Sequence, residues 1–315
     1  MAQLRLLLRV LGFGVFASVF YTVLLTSLPR PLPTAVVRDL NVPRGGYGHN
    51  LTRMAEARTW GQVDILFLGS SHAYRGFDTR IFAQAGARSF NLGSSRQTPL
   101  QYEVLLKRHL SDLSPRVVII EVEPHVFMSD GVEGALDLMA NGPIDRDVLR
   151  LAWRIGHLRT WNALLHNGGK QVLGLGAADV EERRKGPDTY IPGGFVEQDM
   201  AYNTRVPGAG RADLTPRAMQ LAALDRALAM LQAQGIEVLL VEAPVTSARY
   251  ASYSDHARFA DRMRERATYI DMNGAAELDD RLHFYDNHHL NQRGVELFNA
   301  ALIDTLRVRG YLPAP

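Results

Sequence analysis

The stretch FLGSSHAYRGF, residues 67 to 77, decides the reading of the fold. A largely apolar run, Val63-Asp64-Ile65-Leu66-Phe67-Leu68, ends abruptly in a glycine, two serines and a histidine. The run is short and rich in strand formers, which predicts a buried parallel strand. In open α/β sheets ligands bind where such a strand gives way to a turn, and a glycine there lets the backbone bend sharply and approach a substrate.

Working outward, four segments read as strands of one sheet: Asp64 to Leu68, Arg88 to Leu92, Arg116 to Val122, and Ile236 to Glu242. Amphipathic stretches alternate with them, from Pro99 to Leu113, Pro216 to Gln234 and Asp255 to Ala267. A last helix runs from about Gln292 to Val308 and ends before Gly310, as helices often do. Strands alternating with helices imply an α/β fold whose parallel sheet is covered on both faces.

Composition narrows the class. Of 315 residues, 46% are hydrophobic and 22% charged, a globular balance with enough chain for one large domain and an insertion. The 35 basic and 33 acidic side chains nearly cancel, and no basic run is interleaved with aromatics, which argues against a nucleic-acid partner. The absence of cysteine removes disulfides, thiolate metal sites and cysteine nucleophiles together.

No residue from Val10 to Pro29 carries a charge, and as a helix this stretch would span roughly 30 Å, the thickness of a bilayer core. We expect an uncleaved membrane anchor over residues 1–30. A cleaved signal peptide is the competing reading, but the stretch lacks a clear small-x-small site. Arg5 and Arg9 precede the span while Arg30, Arg38 and Arg44 follow it, so charge alone leaves orientation open. We expect the N-terminus inside. Prolines and glycines then make residues 31–50 a linker, and the folded domain is expected over 51–315. Residues 125 to about 215 interrupt the alternation with a helical patch around Val148 to Leu165 and a glycine-rich polar tract. An insertion this long either shapes a groove or is a surface excursion.

A serine hydroxyl is a poor nucleophile without a base. The segment FYDNHHLNQRG, residues 284–294, offers one, with Asp286 three residues ahead of His289 and just before the last helix. In an extended turn that spacing brings the carboxylate to Nδ1 of the imidazole and leaves Nε2 for a nucleophile. His288 is the rival for this role. A glycine-serine-serine turn alone is equally a structural turn or a phosphate cradle. His72 either touches substrate or braces the turn; Glu123 and His125, past the third strand, either contact substrate or shape a turn. Asn291 is placed to cap the final helix. His283, His288 and His289 cluster in sequence, but none of the ten histidines shows metal-ligand spacing, so neither metal nor cofactor is expected.

Taken together, these blocks resemble the SGNH, or GDSL-like, hydrolase superfamily from about residue 62 onward. Gly69-Ser70-Ser71 is similar to the family's first block, with Ser70 in place of the usual aspartate and Ser71 at the nucleophile position. Asp286 and His289 match the last block, followed by Leu290, Asn291 and Gly294. The resemblance implies a three-layer sandwich with a central parallel sheet, a catalytic Ser71, His289 and Asp286, and an oxyanion hole from the backbone N–H groups of Ser71 and Gly93. It departs after the third strand: VVIIEVEPHVF carries Glu121 and Glu123 and lacks the family's asparagine. Together with the anchor, the pattern looks like the membrane-anchored SGNH-like proteins of bacterial envelopes, such as alginate O-acetylation proteins and the D-alanyl transfer protein of teichoic acid synthesis. That likeness implies acyl transfer on an envelope polysaccharide or other polymer, at the inner membrane with the domain facing the periplasm or exterior. It also implies a membrane-bound O-acyltransferase as partner. A carbohydrate esterase and a non-catalytic binding partner remain the alternatives.

Overall fold

The computed structural model describes residues 2–27, 44–175, 180–204 and 210–313. Most of the linker expected over 31–50 lies outside the described residues. Helix α1 (Ala2–Ser27) is the one described helix long and apolar enough to cross a membrane, over Gln3–Thr26. After it come α2 (Asn50–Glu56), β1 (Ile65–Leu68), α3 (Ser71–Gly76), α4 (Thr79–Gln84), β2 (Ser89–Asn91), α5 (Pro99–Leu113) and β3 (Val117–Glu121). The chain then runs through α6 (Pro124–Met128), α7 (Val132–Asn141), α8 (Arg146–Ile155) and α9 (Leu158–Val172), followed by β4 (Arg184–Lys185), β5 (Asp188–Ile191), β6 (Phe195–Gln198) and β7 (Ala212–Asp213). It closes with α10 (Ala218–Gln232), β8 (Glu237–Glu242), α11 (Ser247–Ala251), β9 (Tyr253–Ser254), α12 (His256–Arg264), β10 (Thr268–Asp271) and α13 (Gln292–Val308).

The central sheet has the order β10-β8-β3-β1-β2, and every pairing is parallel. Leu68 stands opposite Ile120 and Phe67 opposite Asn91, which fixes the register of the central strands. Alternation along β1 sends Leu66 and Leu68 to one face and Ile65 and Phe67 to the other. The first pair joins the core formed with α5 and α10; the second joins the core formed with α4 and α13, around Phe82, Phe298 and Leu302. The result is the three-layer α/β sandwich expected from the alternation of elements.

From β1 the chain first moves outward to β2 and then returns to the other side of β1 as β3. The strand order therefore reverses between β1 and β3, the place where open sheets leave a crevice beyond their carboxyl ends. The fifth strand, β10, was missing from the sequence reading. The insertion expected over 125 to about 215 is α6 to α9, a small antiparallel sheet of β4, β5 and β6, and the short strand β7.

Helix α9 lies against α1. Tyr21 donates its hydroxyl to Asn162 Oδ1 at 2.8 Å, and Nδ1 of His166 bonds the Leu25 carbonyl at 2.7 Å. Partners rise together along both helices, so the two run in the same direction.

Candidate active site

Gly69 ends β1 with φ 144°, a conformation open to glycine, and a Cβ there would lie 2.6 Å from Cβ of Glu121 on β3. This answers why the apolar strand breaks at a glycine: the chain must leave the sheet hard against its neighbour. Ser70 then caps α3, its Oγ accepting the His72 N–H at 3.2 Å. Ser71 is the first residue of that helix and faces the crevice.

Nε2 of His289 lies 2.8 Å from Ser71 Oγ, and its Nδ1 lies 2.7 Å from Asp286 Oδ2. The other carboxylate oxygen of Asp286 accepts the backbone N–H groups of His288 at 2.8 Å and His289 at 2.7 Å. An antiparallel bridge between Phe284 and Leu290 pinches this loop shut. Asn291 both caps α13, accepting from the Gly294 N–H at 3.1 Å, and holds the Leu282 carbonyl at 2.8 Å. The Tyr285 ring stacks on His289 at 5.4 Å. Burial lowers the His289 pKa to about 4, against the raising influence of Asp286, so the ring is neutral at physiological pH. For Asp286 burial acts upward, but the hydrogen bond from His289 and the neighbouring imidazoles hold the carboxyl below its ordinary range.

A second hydrogen-bonded chain runs beneath the first. Ser70 donates its hydroxyl to Glu121 Oε2 at 2.9 Å and stands 3.1 Å from Nδ1 of His72, whose Nε2 is 3.3 Å from Nδ1 of His288. Burial, reinforced by Glu123, pushes the Glu121 carboxyl up to about 8. Burial likewise lowers His72 to about 3 and His288 to about 4, each with help from a neighbouring imidazole.

Apart from Glu121, the side chains of these two chains line an open cleft of about 680 Å³. His72, Glu123 and His125 all reach it. Glu123 also caps α6 and binds His125 Nδ1 at 3.0 Å and the Arg249 guanidinium at 2.9 Å. The sequence reading missed four contributors. Arg75 on α3 grips Asp188 of β5 through two bonds of 2.8 and 2.7 Å, which brings the insertion to the cleft wall. Arg249 and Tyr285 complete the rim. Arg75 lies four residues after Ser71, a helical spacing that points to the same side; nothing local in the sequence marks Asp188 or Arg249.

One expectation is corrected. Gly93 was expected to donate its N–H to an oxyanion, but that N–H is bonded to Asn91 Oδ1 at 3.0 Å and Gly93 is buried away from the cleft. The Asn91 amide also ties down the Ala73 carbonyl at 2.8 Å, so it braces the back of α3. His283, grouped in sequence with His288 and His289, stands apart from them, and its Nδ1 accepts the Asp279 N–H at 2.8 Å.

No family model and no curated protein matches the chain. Solved structures do. A GDSL-like lipase from Bacteroides thetaiotaomicron is 12% identical with a TM-score of 0.41, over 82% of this chain and 98% of that one. A protein described as an acylhydrolase, from Bacteroides fragilis, is 12% identical with a TM-score of 0.38, over 82% and 94%. A protein from Streptococcus pneumonia, described as a platelet activating factor, is 12% identical with a TM-score of 0.40, over 81% and 94%. Likenesses this distant leave the chemistry to be read from the side chains.

Proposed function

We propose that the protein is a serine-dependent acyl-transfer enzyme of the SGNH type, held at a bacterial cytoplasmic membrane by α1 and acting on an envelope polymer. The observation that carries the reading is the continuous hydrogen-bonded chain Ser71–His289–Asp286, with bonds of 2.8 and 2.7 Å, at the reversal point of the sheet. Ser71 Oγ attacks an acyl carbonyl while its proton passes to His289 Nε2. Asp286 holds the ring by Nδ1 and stabilises the imidazolium that forms. His289 then protonates the departing alcohol, leaving an acyl-serine. An acceptor hydroxyl gives its proton to the same nitrogen, attacks the acyl-serine, and restores Ser71. With water as acceptor the outcome is ester hydrolysis; with a glycan hydroxyl it is O-acylation.

The Ser71 N–H, in the first turn of α3, is one donor for the developing oxyanion. A second reading, a non-catalytic partner of a membrane-bound O-acyltransferase, is favoured by one observation: the Gly93 N–H is already taken by Asn91. Both readings are tested by treating the detergent-purified full chain with a fluorophosphonate and locating the adduct by mass spectrometry. Labelling at Ser71 supports the enzyme, and its absence supports the binding partner. A small acetyl ester offered with and without glycan separates hydrolysis from acceptor-dependent transfer.

A further inference from the structure

We propose that His72, His288 and His289 form a binding site for a divalent transition cation of zinc type, and that occupancy silences Ser71. Each ring offers one nitrogen, and the three nitrogens lie within 4.8 Å of one another. His72 Nε2 and His288 Nδ1 are 3.3 Å apart. Two imidazole nitrogens on a tetrahedral zinc ion, each at about 2.0–2.1 Å from it, are separated by about 3.3 Å. That pair already has a ligand spacing, and His289 needs only to close toward it.

The tautomers favour the same reading. A histidine bound to a metal commonly donates its other N–H to a carboxylate or similar acceptor, which fixes the ring and directs the free lone pair at the ion. His289 does this through Nδ1 to Asp286 at 2.7 Å. His72 does it through Nδ1 to Ser70 Oγ, since Ser70 sends its own proton to Glu121 and is left as an acceptor. The Nε2 lone pair of His289 is thereby set from behind by a carboxylate, and that of His72 by the Ser70 hydroxyl. Their rings lie 5.1 Å apart, and His288 sits over His289 at 3.8 Å. Burial keeps all three rings unprotonated, the form that binds a metal.

A hydrogen-bonded histidine cluster is the plain alternative, and it would account for His72 and His288. It gives no reason for three unprotonated imidazole nitrogens to gather within 4.8 Å of one another. Silencing rests on the acyl-transfer reading above. His289 Nε2 has one lone pair, so it either takes the Ser71 proton or binds the cation, and the two functions exclude each other.

The test uses the detergent-purified full chain, stripped with a chelator and titrated with zinc chloride in a calorimeter. Cobalt(II) serves as a spectroscopic probe of nitrogen ligation. One ion per chain with micromolar affinity is expected. His72→Gln and His288→Gln should each weaken binding at least tenfold, while His283→Gln, outside the cluster, should leave it unchanged. Zinc should block fluorophosphonate labelling of Ser71, and chelator should restore it. Absence of binding, equal affinity in His288→Gln, or full labelling of the zinc-loaded protein would overturn the proposal. If Ser71 resists labelling even without metal, the acyl-transfer reading fails while the calorimetry still decides the cation site.

Discussion

Ser71 and His289 are 218 residues apart in the chain and meet at 2.8 Å, so the first predictions belong to single side chains. Ser71→Ala and His289→Ala should each lower turnover by about three to six orders of magnitude, and the double variant should be little worse, because such residues act as a unit. Asp286→Asn should lose about ten-thousand-fold, since the ring remains but in a poorly held tautomer. The base acts only when neutral, so Ser71 labelling should be constant near neutral pH and fall as pH drops through about 4. Glu121 gives a stability signature of its own. Its folded pKa, about 8, lies above the ordinary 4.5, so the folded state binds the extra proton between those values and stability falls as pH rises through that window. Glu121→Gln should flatten that slope in thermal unfolding curves taken from about pH 5 to about pH 9. At this scale the sequence displayed the serine, the histidine and the aspartate because each sits in a short block with constrained spacing. Gly93 was misread because an asparagine two residues earlier turns its side chain onto the glycine N–H. That habit of asparagine was the available signal.

Elements were legible wherever their ends carry chemistry. Helix α5 begins with Thr98 and Gln101 in a capping box and Pro99 in its first turn, and both of its ends agree with the pattern of residues. α13 likewise starts at its asparagine cap. β10 escaped because of its four residues only Ile270 is fully buried, which leaves an edge strand with almost no apolar pattern. Gly168 and Gly169 belong to the stretch expected as a glycine-rich polar tract, yet they lie inside α9. A Cβ on Gly169 would fall 2.7 Å from Thr26 Oγ1, so the glycine serves the close approach of two helices, a relation that no local window contains. The turn after β1 gives the test for this scale. Gly69→Ala must hold an L side chain at φ 144° and against Glu121. It should cost about 1–3 kcal/mol in denaturant unfolding and slow Ser71 labelling.

For the whole molecule the parallel sheet between two helical layers followed from alternating strands and helices, whereas its strand order and the seating of α1 on the domain did not. The full chain is expected to fractionate with membranes, and its recovery in the soluble fraction would remove the anchor. A chain beginning at residue 44 keeps both core clusters, which contain no residue of α1. It also removes one wall of the apolar groove that Thr22, Val23 and Thr26 line together with Ile144, Leu165 and Val172. Such a chain should fold but self-associate, as read by light scattering; a monodisperse monomer would show that the groove needs no cover.

The rungs between α1 and α9, at Tyr21, Leu25 and Thr26, all fall in the last turns of α1. Before them the charge-free stretch runs from Val10 to Phe20, about 16 Å at about 1.5 Å per residue, half of the roughly 30 Å of a hydrocarbon core. One helix thus divides its labour, its first part largely exposed and its end serving as a splint set into the domain. A domain splinted in this way keeps a fixed heading relative to α1. If α1 enters a bilayer as proposed, the splint would hold the mouth containing Ser71 at one height above the lipid, reaching acceptors at that level and missing those farther out.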